Sequence, residues 1–92
     1  MTKKKKLKLK VPVPRRFYLD RSSDKSGISG TGFVSTGILF PSGKVIIEWI
    51  VGEHPSLETH NTLEDLMAIH GHNDTTKIVW IDPINMYLVD EE

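Results

Sequence analysis

The chain contains no cysteine, so it can build neither a disulfide framework nor a thiolate metal site. It has no apolar run approaching the roughly 18 residues that span a membrane as a helix. A secretory leader is not expected: the early positive charge is followed by Leu7-Lys8-Leu9-Lys10-Val11-Pro12, in which charge alternates with apolar residues and no apolar core develops. These absences point to a cytoplasmic protein without a membrane partner. They also remove weight from the formal glycosylation sequon Asn73-Asp74-Thr75. The last scarcity is positional. After Arg16 the chain carries only four basic residues, Arg21, Lys25, Lys44 and Lys77.

Eight of the twelve basic residues lie in the first sixteen positions, and all twelve acidic residues follow them. The formal net charge of zero therefore joins two unlike parts. Residues 1–16 carry Lys3, Lys4, Lys5, Lys6, Lys8, Lys10, Arg15 and Arg16, while residues 17–92 carry four positive and twelve negative charges, a balance of −8. A basic arm on an acidic body bears on partners and steering more than on fold.

Ninety-two residues make a single domain. The organisation expected is a disordered basic arm over 1–15, one folded domain over 16–89 and an acidic end over 90–92. With the ends loose, about 70 residues remain for a sheet and one helix, a size at which stability is marginal. Self-repelling lysines and Val11-Pro12-Val13-Pro14 keep the arm extended. Strands are predicted over Arg16–Arg21, Phe33–Phe40, Lys44–Val51 and Lys77–Asp82, with Ile84–Val89 either a fifth strand or a docked tail. Pro41-Ser42-Gly43 has the chemistry of a tight hairpin turn, with Gly43 at positive φ. In the second hairpin strand Val45, Ile47 and Trp49 share one face and Ile46, Glu48 and Ile50 the other. Gly37 marks a bulge or a close approach. Gly52–Asn61 reads as a polar connection. Thr62 is a candidate N-cap, Leu63, Leu66, Met67 and His70 have the spacing of one helical face, and Gly71 is a natural stop. The predicted fold is α+β: a small antiparallel sheet of four or five strands with one short helix packed on one face.

Motif by motif, chemistry is sparse. Gly27-Ile28-Ser29-Gly30-Thr31-Gly32 has the glycine spacing of a phosphate-binding loop, but Phe33-Val34 stands where Lys and Ser/Thr are required, and a strand follows instead of a helix. A turn or bulge is the plainer reading. Anion binding by the amides of Ser26, Gly27, Ser29, Gly30, Thr31 and Gly32 is the alternative. His70-Gly71-His72 is metal-like, and Asp74 could add a ligand. With His70 on an apolar stripe and no evident third and fourth donors, a structural His70 and an exposed His72 are the expectation, with no metal and no cofactor. No Gly-x-Ser-x-Gly elbow is present, so no catalytic residues are assigned. Trp49 and Trp80 read as packing residues. The lysines of the arm could contact nucleic-acid backbone without sequence preference, serve as an import-like or membrane-surface patch, or simply be solvated.

The string Arg16-Phe17-Tyr18-Leu19, the segment Ser26–Gly32, the hairpin ending in Trp49, and Ala68-Ile69-His70-Gly71-His72 followed by Ile78-Val79-Trp80-Ile81-Asp82 resemble a group of short, uncharacterised bacterial and bacteriophage proteins. The resemblance runs from Arg16 to Asp82. It implies a phage or bacterial setting and a size class, and it brings no mechanism.

The function expected from these readings is that of a small non-enzymatic phage or bacterial accessory protein, a binding module whose acidic body docks on a protein partner with a basic surface. The alternatives are binding of a nucleotide-type small ligand through the Gly-rich loop with His70 and His72, and nonspecific nucleic-acid binding through the arm. Partner binding requires an exposed docking face, ligand binding a pocket at Ser26–Gly32, and catalysis a histidine and a carboxylate meeting in a cleft.

Overall fold

Pro41-Ser42-Gly43 turns the chain as its residues demand: Gly43 has φ 95°, Phe40 N–H donates to the Lys44 carbonyl at 2.8 Å, and Gly43 N–H donates to the Phe40 carbonyl at 2.9 Å. The computed structural model describes residues 9–22, 31–71 and 75–90. Within them lie strands β1 (Leu9–Pro12), β2 (Arg15–Arg21), β3 (Gly32–Leu39), β4 (Val45–Trp49) and β5 (Ser56–His60), helix α1 (Leu63–His70), and strands β6 (Thr76–Trp80) and β7 (Tyr87–Asp90). The main sheet is five-stranded in the order β5-β4-β3-β2-β6, and every pairing in it is antiparallel. The α+β architecture expected from the sequence is therefore the observed one.

Strand alternation separates two faces. Phe17, Leu19, Val45 and Ile47 point to the helix side and are buried with Val34 and Leu66; Leu63, Met67, Trp49, Ile78 and Trp80 pack around them. Phe17 lies opposite Gly37 on β3 and Trp80 on β6. A Cβ at Gly37 would overlap the Phe17 ring. Glycine at this position thus lets an aromatic ring lie flat across the neighbouring strand, the close approach that Gly37 signalled. Trp80 meets the same ring edge-on at 5.3 Å.

The β2–β3 ladder shifts register between Leu19 and Asp20: Leu19 faces Ser35, whereas Asp20 faces Phe33. Val34 is the extra residue of this bulge, and both Val34 and Ser35 are buried. Phe33 is turned to the opposite face, where its ring lies 5.0 Å from that of Tyr18.

Two segments differ from the sequence reading. The polar connection over 52–61 contains β5, which pairs with β4 so that Glu58 faces Ile47 and His60 faces Val45. Its polar composition hid a strand that tertiary pairing stabilises. The arm, expected loose to residue 15, is a strand over Leu9–Pro12, paired with β7 in a separate two-stranded ribbon. The tail thus joins the arm instead of the main sheet. Lys3, Lys4, Lys5, Lys6 and Lys8 lie outside the described residues.

Thr62 caps α1 as predicted, its Oγ1 accepting from Asp65 N–H at 3.0 Å. Gly71 ends the helix in right-handed geometry, φ −69°, so its role there is not a left-handed cap. At the far end of the sheet Asp82 gathers Arg16: the Arg16 backbone N–H and Nε donate to Oδ2 at 2.9 Å, and Nη2 donates to Oδ1 at 2.8 Å. These hydrogen bonds hold the Asp82 carboxyl at about 2 against the opposing effect of burial, with smaller help from the Arg16 and Arg15 charges.

Two outcomes follow from this packing. Gly37→Ala should destabilise the protein by about 1–3 kcal/mol in urea melts, and Phe17→Leu in the same chain should recover part of the loss, giving a non-zero coupling in the double-mutant cycle. Because the Asp82 pKa is depressed on folding, its stabilisation is complete above the ordinary aspartate range and is lost as pH falls toward about 2. Asp82→Asn should lower the thermal midpoint at neutral pH and make little difference at pH about 2.

Candidate functional site

Glu58 and His60 lie two residues apart on β5 and therefore project to the same side, toward the helix. His70, the last residue of α1, comes down on them because Leu66 is fully buried in the core one turn earlier. Glu58 Oε2 is 2.7 Å from His70 Nε2 and 3.0 Å from His60 Nε2. The other carboxylate oxygen, Oε1, accepts a 2.6 Å hydrogen bond from Trp49 Nε1 on β4. The Trp49 and His70 rings meet edge-on at 4.9 Å, and the His60 and His70 rings are nearly perpendicular. One carboxylate is thus oriented by an indole and shared between two imidazoles.

The group is half-buried. The side chains of His60, His70 and Glu58 are 10%, 18% and 35% exposed. Burial pushes the Glu58 pKa upward, but the hydrogen bonds from Trp49, His70 and His60 together outweigh it, and the carboxyl is held below the ordinary glutamate value. Glu58 and His70 border a cleft of about 350 Å³ with Trp49, Val51, Gly52, His54 and Ser56. His60 borders a second, wider groove of about 900 Å³ that also includes Lys44, Asn61 and Asp65. Solvent and small ligands therefore reach the cluster from two sides. A carboxylate between two imidazoles can hold or pass a proton, and it can present three donor atoms to a cation.

Arg21 buttresses the site from below. It is 1% exposed, its Nε donates to Thr76 Oγ1 at 2.8 Å, and its Nη2 lies 3.5 Å from the His70 carbonyl. Its guanidinium stands 5.8 Å from the Trp49 ring centre. A cation at the last carbonyl of α1 opposes the negative end of the helix dipole. Nη1 has no hydrogen-bond partner among the described residues.

Of the site residues expected from the sequence, only His70 belongs to this cluster among those described. Ser26, Gly27, Ser29, Gly30 and His72 lie outside the described residues, as does Asp74. Thr31 is exposed, and Gly32 takes φ 83° at the start of β3 with open space around it, in keeping with the turn reading. Two cations assigned to the arm are engaged by the body. Arg15 stacks on Trp80 at 3.6 Å, and Arg16 is bound to Asp82. Lys10 lies in β1. Sequence reasoning missed Glu58 and His60, and assigned Trp49 to packing alone. The available signal was the period of two in Leu57-Glu58-Thr59-His60, directly before a helix that ends in a histidine.

Fold and cluster together define an antiparallel-sheet α+β protein with a histidine–carboxylate centre beneath its short helix. Residues 14–82 match the family described as the Acb5 phage protein, and the chain belongs to that family. No curated protein and no solved structure matches it. The matched segment holds the whole main sheet, the helix and the centre; β1 and β7 fall outside it.

Protonation of Glu58 would remove the acceptor of the Trp49 indole. In a Trp80→Phe background, the acid change in Trp49 fluorescence that arises from Glu58 should fall below the ordinary glutamate range, since the Glu58 pKa is lowered. Glu58→Gln should abolish that acid transition. A transition unaltered in Glu58→Gln would show that Trp49 reports another group.

Proposed function

We propose that this phage protein is a non-enzymatic binding module that docks on a basic protein surface through the face of its sheet opposite the helix. The observation that supports this reading is the composition of that face. Phe33, Ile50, Leu57, Val79 and Ile81 are there, each between 38% and 65% exposed. Tyr18, Ile38, Ile46, Leu57 and Ile81 line a shallow groove of about 400 Å³ across it. Contiguous exposed apolar surface ringed by polar groups is the usual mark of a protein contact. The charge of the face favours a basic partner. Glu48 forms no ion pair among the described residues, Asp20 lies across from Lys77, Arg16 is bound to Asp82, and residues 16–92, that arginine included, carry a balance of −7. Such a field speeds encounter with a basic surface, while the apolar centre supplies the affinity.

A second reading, small-ligand binding, draws on the cleft beside Glu58 and His70 instead of the Ser26–Gly32 loop.

The docking reading is tested by capture from phage-infected host lysate with the full chain, its Leu57→Asp/Ile81→Asp variant and its Glu48→Lys variant, each checked for fold by circular dichroism. The expected result is a partner retained by the parent chain and lost with Leu57→Asp/Ile81→Asp. With the purified partner, Glu48→Lys should weaken binding by about tenfold, and added salt should slow association. Equal retention by all three proteins would overturn the reading. So would a dimer of the parent chain, seen in sedimentation and dissolved by the same substitutions, because a second copy would then occupy the face.

A further inference from the structure

We propose that Glu58, His60 and His70 form a binding site for a divalent transition-metal ion of the zinc or cobalt kind. The site lies on the helix side of the sheet and is independent of the docking face. The sequence argued against a metal because His70-Gly71-His72 offered no further donors. The fold supplies them from another element: β5 brings Glu58 and His60 beneath His70, and the three donor atoms lie within 4.8 Å of one another.

The geometry suits a metal in several respects. Two imidazole nitrogens converge on a single carboxylate oxygen, at 2.7 and 3.0 Å. Ligand bonds of about 2.1 Å to atoms so spaced subtend close to a right angle at the ion. The two nitrogens and the carboxylate oxygen are the donor set of two-histidine, one-carboxylate sites. The donor chemistry selects against calcium and magnesium, which take oxygen ligands, and favours borderline ions that accept imidazole. The carboxylate is pre-oriented from outside the donor set, since the Trp49 indole holds Oε1 at 2.6 Å and leaves Oε2 to the histidines. Such an outer hydrogen bond fixes a ligating carboxylate. The cleft bordered by Glu58 and His70 leaves room for water or a ligand at the remaining positions of the ion.

Glu58 Oε2 has lone pairs for both rings, and each reaches it through Nε2. A dication in place of the two Nε2 protons satisfies all three groups at once.

The test uses the full chain without a histidine tag, stripped with chelator and then exposed to Zn²⁺ by equilibrium dialysis. About one equivalent should bind at micromolar free zinc, and Co²⁺ should give visible absorption in its place. Nitrogen-15 spectra of the histidine rings should show Nε2 of His60 and His70 moving with zinc while His54, which is exposed, stays in place. His60→Gln and His70→Gln should each lower affinity by about 10–100-fold, with near-ultraviolet dichroism reporting whether the variant is folded. If a variant unfolds, the ring spectra of the parent chain decide. The proposal is overturned by a folded parent chain that takes up no zinc, by uptake unchanged in folded His70→Gln, or by zinc-induced shifts confined to other histidines.

Discussion

Leu66 is the only residue of α1 that is fully buried, and the placement of everything beneath the helix rests on it. Eight residues are too few for a helix to persist by its own hydrogen bonds. Thr62 fixes the first turn, Leu66 locks the middle into the Phe17–Leu19–Ile47 core, and Arg21 approaches the last carbonyl. Between those three restraints the helix has little freedom to rotate. His70 is one turn beyond Leu66 on the same stripe, so the burial of a leucine becomes the position of an imidazole. The distance from His70 to Glu58 is thus set by apolar packing as much as by the attraction between the two groups.

The sheet divides its duties by face. The helix side carries the core and the Glu58–His60–His70 cluster, and the opposite side carries exposed apolar residues around Tyr18 and Phe33. Antiparallel sheets commonly keep one face wet and polar. Here the wet face is apolar enough to be an interaction surface, while polarity is concentrated under the helix. Each face thus inverts the usual expectation at one place, and those departures are the candidate functional features. Both lie within the segment shared with the Acb5 phage protein family, whereas the β1–β7 ribbon does not.

The hairpin was legible because turn chemistry is local. Pro41 and Gly43 dictate backbone angles whatever surrounds them, and the β-branched and aromatic run Val45-Ile46-Ile47-Glu48-Trp49 follows directly. The helix was legible for the same reason, through Thr62 and the stripe ending at His70. β5 was not, because Ser56-Leu57-Glu58-Thr59-His60 has only one apolar residue and is a strand by virtue of its pairing with β4. With it the candidate centre was lost from view: Glu58 and His70 are twelve positions apart, and only the passage from an edge strand to a helix crossing over it brings them together. The strand character of Leu9–Pro12 was hidden in another way. Lysines alternating with Leu7, Leu9 and Val11 gave a period of two, but no local feature named Tyr87–Asp90 as the partner.

The bulge at Val34 sets the parity of β3. Beyond it, odd-numbered residues from Ser35 to Leu39 belong to the helix side; before it, the rule is reversed, and Phe33 belongs to the open face. One extra unit of contour therefore decides which compartment an aromatic side chain inhabits. Were the ladder to run on without the bulge, Val34 would face Asp20, Phe33 would face Arg21 on the helix side, and Tyr18 would lose its ring neighbour. The pairing of Val34, as distinct from the character of its side chain, is the information stored at this point of the chain.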